Sequence, residues 1–169
     1  MSAAADASLT PAPLPRRLAA LLYDLLIALA LLLVVGLLAQ LATRARLVTV
    51  QDGHAQVPPA YQVLQLAVLA GYFVLSWWRG GQSIGARAWR LRVVDARGRP
   101  PALPRALLRA LLAASPLLAL LLGLSAPPRT VLLAVASLWA VDYAALPFDR
   151  ARRTLHDRLS GTQLVRLPR

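Results

Sequence analysis

The stretch Leu18–Thr43, LAALLYDLLIALALLLVVGLLAQLAT, decides the class of this protein. From Leu25 to Ala39 it holds no polar side chain, whereas a helix on a soluble domain carries a polar stripe. A hydrocarbon core of about 30 Å takes roughly 20 helical residues, so the stretch is long enough to cross a bilayer. It also exceeds the roughly 7–15 apolar residues of a cleaved signal. No small-x-small cleavage site closes it convincingly, and the twin arginine Arg16-Arg17 lacks the rest of an export motif. The reading is a retained span.

Three further segments meet the same length rule, at 61–78, 105–124 and 130–148, beside the first at 18–43. The expected architecture is an all-α membrane protein, a bundle of four transmembrane helices in one domain over 16–167. A flexible tail rich in Ala and Pro would precede it at 1–15. Hydrophobic residues make up 58% of the chain, above the roughly 45–50% of soluble domains. Ser125–Arg129 is so short a connection that the third and fourth spans must form an antiparallel hairpin. Pro127 and Pro128 bar a continuous helix there.

The formal net charge is +12, and every basic residue is an arginine. On a soluble protein such a balance would suggest nucleic acid, but no binding motif or aromatic platform accompanies it. The arginines are sorted instead. Eight lie from Arg79 to Arg109, six from Arg150 to Arg169, and Arg16 and Arg17 precede the first span. The other side keeps Arg44, Arg46 and Arg129. By the positive-inside rule this places both termini in the cytoplasm, with the protein in an inner membrane. Arg150, Arg152 and Arg153, just after the fourth span, suit anionic lipid headgroups at about 1 kcal/mol each.

Two regions outside the spans carry strand signals. In the 44–60 loop, Asp52-Gly53 between alternating residues signals a two-residue hairpin turn, with a bare loop as the alternative. Trp89–Val94 alternates with period two and meets Asp95-Ala96-Arg97-Gly98, while Thr162–Leu167 is a second candidate strand that could pair with it. Ser83–Arg92 also reads as an interfacial helix with Ile84, Trp89 and Leu91 in lipid. A helix over 83–88 leading into a strand reconciles the two.

Three groups of residues resemble a known family. Arg17-Leu18-Ala19-Ala20 with Asp24 resembles the opening of the RDD family of bacterial membrane proteins, named for one Arg and two Asp. Gly81-Gln82-Ser83-Ile84-Gly85-Ala86-Arg87, followed by Leu91-Arg92-Val93-Val94-Asp95, is similar to its inter-helix segment. Arg153–Thr162 resembles its C-terminal signature. Ala86 departs from the pattern, standing where a basic residue is common. The resemblance implies that Arg17 is the family's Arg and Asp24 its first Asp. Asp157 would be the second, with Asp142 the competitor. A transport role has been proposed for the family.

Asp24 is the residue that most needs a reason. An Asp at the centre of a membrane helix costs ~2.5–3.5 kcal/mol, although this one lies nearer the cytoplasmic end. Arg17 lies nearly two turns away on the same face, about 10 Å off. Asp24 is therefore either a static ion-paired group or a titratable group in a proton or cation path. An Asp24–Arg109–Asp142 cluster is geometrically allowed, with Arg105 one turn before Arg109, and pairing would lower the cost of burying all three. Gln62, Gln65, Tyr72, Ser76 and Arg79 recur on one face of the second span, as interhelix contacts or the lining of a hydrated groove. Gly36, Gly71 and Gly123 read as close-packing positions. Arg153 and Asp157 would form an i,i+4 surface pair if helical.

No Cys is present, the two His are far apart, and no phosphate loop, His-Glu-x-x-His or Gly-x-Ser-x-Gly occurs. No cofactor and no enzyme activity are expected. Transport of an ion or small solute, motivated by the intramembrane Asp and the resemblance, stands first. A membrane scaffold or accessory subunit is the alternative, favoured by small size and unbroken helices. Four helices make a thin wall, so transport would call for a homo-oligomer or a partner membrane protein.

Overall fold

A computed structural model describes residues 10–44, 46–51, 54–124 and 127–168. The first strand, β1 (Thr10–Pro11), leads into α1 (Leu14–Ala42), then a hairpin of β2 (Thr49–Gln51) and β3 (His54–Gln56). Next come α2 (Pro59–Gly80), the short α3 (Ile84–Ala88) and β4 (Leu91–Asp95). The chain continues through α4 (Leu103–Ala114), a 3₁₀ stretch (Ser115–Leu124), α5 (Pro128–Ala144), α6 (Leu155–Leu159) and β5 (Thr162–Arg166). The Asp52-Gly53 turn expected between β2 and β3 lies outside the described residues, as do Ser125 and Ala126 of the connection between the last two spans.

Among the described residues four helices are long and apolar enough to cross a membrane: Leu14–Ala42, Pro59–Gly80, Leu103–Leu120 and Pro128–Phe148. Their starts follow from proline, which needs no N–H partner in the first helical turn and has φ preset for it. Pro15, Pro59, Pro104 and Pro128 each occupy one of the first two positions of a long helix. The apolar side chains point outward, with Leu33 at 65%, Leu41 at 66% and Leu111 at 70% exposure. In water that would be a large unpaired apolar surface; in a bilayer it is the lipid-facing wall.

The third span departs from the expectation of unbroken helices. Pro116 has no N–H, so the α-helix ends at Ala114 and the chain tightens into the 3₁₀ stretch. The freed carbonyls are taken up locally. Ser115 Oγ donates to Leu112 O at 2.7 Å, and Trp139 Nε1 on α5 donates to Ala113 O at 3.1 Å. In 3₁₀ geometry Ala113 O would need a donor from Pro116, and the indole supplies one. Such repair is required where no water can substitute.

At the arginine-rich end a three-stranded sheet in the order β1-β5-β4 closes over the helix ends. β4 and β5 pair antiparallel, Leu91 opposite Arg166 and Asp95 opposite Thr162, which fulfils the expected pairing. Leu91, Val93 and Val165 are fully enclosed, so Leu91 belongs to this small core and not to lipid. Residues 10–13, assigned by composition to a flexible tail, instead add an edge strand: Ala12 is buried and its N–H donates to Leu164 O. An exposed edge of β5 would leave backbone groups unpaired, and this segment covers it.

Candidate functional site

Two polar centres sit at the sheet end of the bundle, each built around one aspartate. The first is Asp24 on α1, 5% exposed. Its Oδ1 accepts from Tyr72 Oη at 2.6 Å and from the Gly85 N–H at 2.8 Å, and its Oδ2 accepts from Ser83 Oγ at 2.6 Å. Sequence explains the convergence. Gly81, at φ 72°, terminates α2 in the left-handed region that glycine occupies freely. Ser83 then caps α3, accepting from the Ala86 N–H, while its own hydroxyl proton goes to Asp24. A Cβ on Gly85 would lie 2.2 Å from Ala20 O and 2.8 Å from Asp24 Cγ. Only glycine lets α3 approach α1 this closely.

The second centre is Asp157 on α6, with no exposed surface. Arg17 Nη1 donates to Oδ2 at 2.9 Å, and Arg109 Nη1 on α4 donates to Oδ1. Thr154 and Asp157 form a capping box, so the same carboxylate also accepts the Thr154 N–H. Arg17 spends its remaining donors on backbone oxygens: Nε on Ala12 at 3.0 Å and Nη2 on Arg152 at 2.6 Å. Arg109 also reaches Thr162 Oγ1, and its guanidinium lies 4.9 Å from the Trp77 ring of α2. Burial works against ionisation of Asp157. The electrostatic effect of Arg109, then of the His156 ring and Arg17, outweighs it and holds the carboxyl well below the usual range.

His156 links this centre to the fourth span. Its Nδ1 lies 2.6 Å from Asp142 Oδ2 and its N–H donates to Asp142 Oδ1, while Nε2 is 3.7 Å from Asp157. Asp142 and His156 form one wall of a groove of about 290 Å³ between α4, α5 and α6.

The expected Asp24–Arg109–Asp142 cluster is therefore not one network. Arg17 turns from Asp24 to Asp157, Arg109 joins it there, Asp142 pairs with His156, and Asp24 keeps only neutral donors among the described residues. Arg105 stays exposed and outside the network, its charge acting on Asp95. Of the polar stripe on α2, only Tyr72 reaches across to α1; Gln65 bonds Tyr61 on its own helix, and Ser76 enters through its carbonyl, which accepts from Gln82. Gly36 is a close-packing position, with Tyr61 Oη 2.8 Å from where a Cβ would sit, whereas Gly71 has nothing within 4 Å. Arg153 pairs with Asp149 and not with Asp157, because Thr154 is the N-cap and Arg153 precedes the helix. That bond keeps the Asp149 carboxyl at about 2. Arg150 and Arg152 leave their side chains exposed.

Arg17 faces inward and both aspartates are buried, and the sequence matches the model of the RDD family over residues 11–161. The chain belongs to the RDD family. No curated protein and no solved structure matches it. In this RDD protein Arg17 and Asp157 form a direct pair, and Asp24 serves a separate centre. Sequence reasoning missed Ser83, Gly85 and His156 as members of these centres. The capping pattern Thr154-x-x-Asp157 was the available signal for α6.

Proposed function

We propose that this RDD protein moves an ion or small solute across the bacterial cytoplasmic membrane, or assists a partner that does, with Asp24 as its titratable group. One observation carries this reading. Asp24, within the longest apolar helix, is held by three neutral donors and pairs with no cation among the described residues. A carboxylate tied to an arginine is a fixed charge. One held by hydroxyls and an amide changes charge on protonation without breaking an ion pair, which suits a proton or a monovalent cation. The donors come from α2 and the start of α3, so a change at Asp24 would be felt by three elements.

The arginine bias supports placing both termini, the sheet and both aspartate centres on the cytoplasmic side. Exposed Arg150 and Arg152 would then meet anionic headgroups there. Four spans enclose little volume, which supports a homo-oligomer or a partner membrane protein. No enzyme activity is proposed.

The test is flux in liposomes holding the purified protein, followed by internal pH and by monovalent cation uptake. Flux with the native chain and its loss in Asp24→Asn is the expected result. Equal flux in both would remove Asp24 from the mechanism.

A second reading, a membrane scaffold or accessory subunit, is favoured by the Arg17–Asp157–Arg109 clamp, which pins two spans to the C-terminal segment. A stoichiometric membrane partner recovered in mild detergent, with no flux from native or variant protein, would support it over transport.

A further inference from the structure

A groove of about 390 Å³ at the sheet end of α1 is lined by Arg16, Ala88, Trp89, Arg90 and Arg166. None of its three arginines forms a salt bridge among the described residues, in contrast to Arg17, Arg109 and Arg153. They reach the groove by separate routes. Arg16 is the neighbour of the inward-turned Arg17, about 100° around the helix. Arg166 is on β5 opposite Leu91, and Arg90 precedes β4, its carbonyl accepting from the Leu167 N–H.

Arg90 holds φ at 55°, the left-handed region that ordinarily belongs to glycine or asparagine. A glycine would make the same turn without strain. What arginine adds is a guanidinium in the groove. Trp89 lies edge-on to Tyr23 of α1, ring centroids 6.2 Å apart, and Trp and Tyr are the side chains enriched where a membrane meets water.

We propose that Arg16, Arg90 and Arg166, with Trp89, form a binding site for a phosphate-bearing anion at the membrane surface. Guanidinium groups match phosphate oxygens with paired N–H donors, and three of them around one open groove compensate the charge of a phosphodiester or phosphomonoester. The site is separate from both aspartate centres. The exposed Tyr23, about two turns along α1 from Arg16 on the same face and in contact with Trp89, gives an acyl chain a surface to follow if the phosphate belongs to a lipid.

The full-length protein in maltoside detergent is titrated with dioctanoyl phosphatidylglycerol, with dioctanoyl phosphatidylcholine in parallel, and complexes are counted by native mass spectrometry. Arg90→Gln and Arg166→Gln should each bind phosphatidylglycerol about tenfold more weakly, while Arg129→Gln, at an exposed position at the far end of the bundle, stays near the native value. Arg90→Gly removes the side chain and relieves the backbone, so it should lose binding with thermal stability retained or raised. Inorganic phosphate that displaces the lipid at millimolar concentration would make free phosphate a ligand of the site; no displacement would assign the site to a lipid headgroup. Native-like binding in Arg90→Gly, equal losses in Arg129→Gln, or equal affinity for phosphatidylcholine would overturn the proposal.

Discussion

Arg17 and Asp157, 140 residues apart, meet in a 2.9 Å ion pair with 3% and 0% of their side chains exposed. With Arg109 on the other carboxylate oxygen, one anion sits between two cations, and the start of α1, α4 and α6 are fixed around it. Removing the anion leaves two buried guanidiniums near each other. Asp157→Ala is expected to cost about 3–5 kcal/mol, read as a fall in thermal or denaturant unfolding midpoint in detergent. Asp157→Asn and Arg17→Gln should couple, the double variant losing less than the sum by roughly 1–3 kcal/mol. Additive losses would mean that the two side chains do not share one interaction.

Arg17→Lys should behave as a loss and not as a conservative change. The guanidinium serves Ala12 O, Arg152 O and Asp157 at once. An ammonium is a point charge without the planar fork. The unfolding midpoint of Arg17→Lys should lie closer to that of Arg17→Gln than to the native one.

The pH dependence follows from the lowered Asp157. A carboxyl whose folded pKa is depressed contributes stability that is fully present above its unfolded value and lost as pH falls toward the folded value. Between pH 8 and about 5 this contribution should be flat, and it should decline only below about pH 4. Asp157→Asn should lack that acid slope when unfolding midpoints are compared across the range. An equal slope in both proteins would assign the acid sensitivity elsewhere.

Gly85→Ala and Gly71→Ala form a matched pair. At Gly85 the new methyl would sit 2.2 Å from a backbone oxygen, so α3 must move and the N–H bond to Asp24 weakens. A loss of about 2 kcal/mol or more is expected there. At Gly71 there is open space, and the change should stay within about 0.5 kcal/mol. Unfolding midpoints in detergent decide it. Equal effects would contradict the close approach of α3 to α1.

Trp139→Phe keeps an aromatic ring and removes the donor to Ala113 O beside the Pro116 break. A loss of about 1 kcal/mol is expected, in the range of side-chain hydrogen bonds within membrane bundles. Pro116→Ala should reverse part of that loss by restoring an N–H to the helix. A Trp139→Phe effect unchanged in the Pro116→Ala background would separate the two features.

Much of the fold was legible because its physics is local or additive. Leu25–Ala39 offers no polar face, the prolines mark helix starts, and alternation in Trp89–Val94 and Thr162–Leu167 marks strands that do pair. The site was less legible. Spacing along a helix placed Arg17 and Asp24 on one face, and both are buried there. It could not say that Arg17 looks to Asp157 while Asp24 looks to Tyr72, Ser83 and Gly85. The i,i+4 rule failed for Arg153 and Asp157 because it holds only inside a helix, and the Thr154 cap puts Arg153 outside one.

Hydropathy and the sorting of arginines determined, from the chain alone, a membrane protein of four spans with its charge gathered at one end. They suffice because transfer into lipid is a sum over residues and takes no account of partners. Which aspartate meets which arginine was decided only in three dimensions, where β4, β5 and α6 fold back beneath the helix ends. A buried charge is stable only with a partner in contact, and contact between residues 17 and 157 is a property of the closed structure.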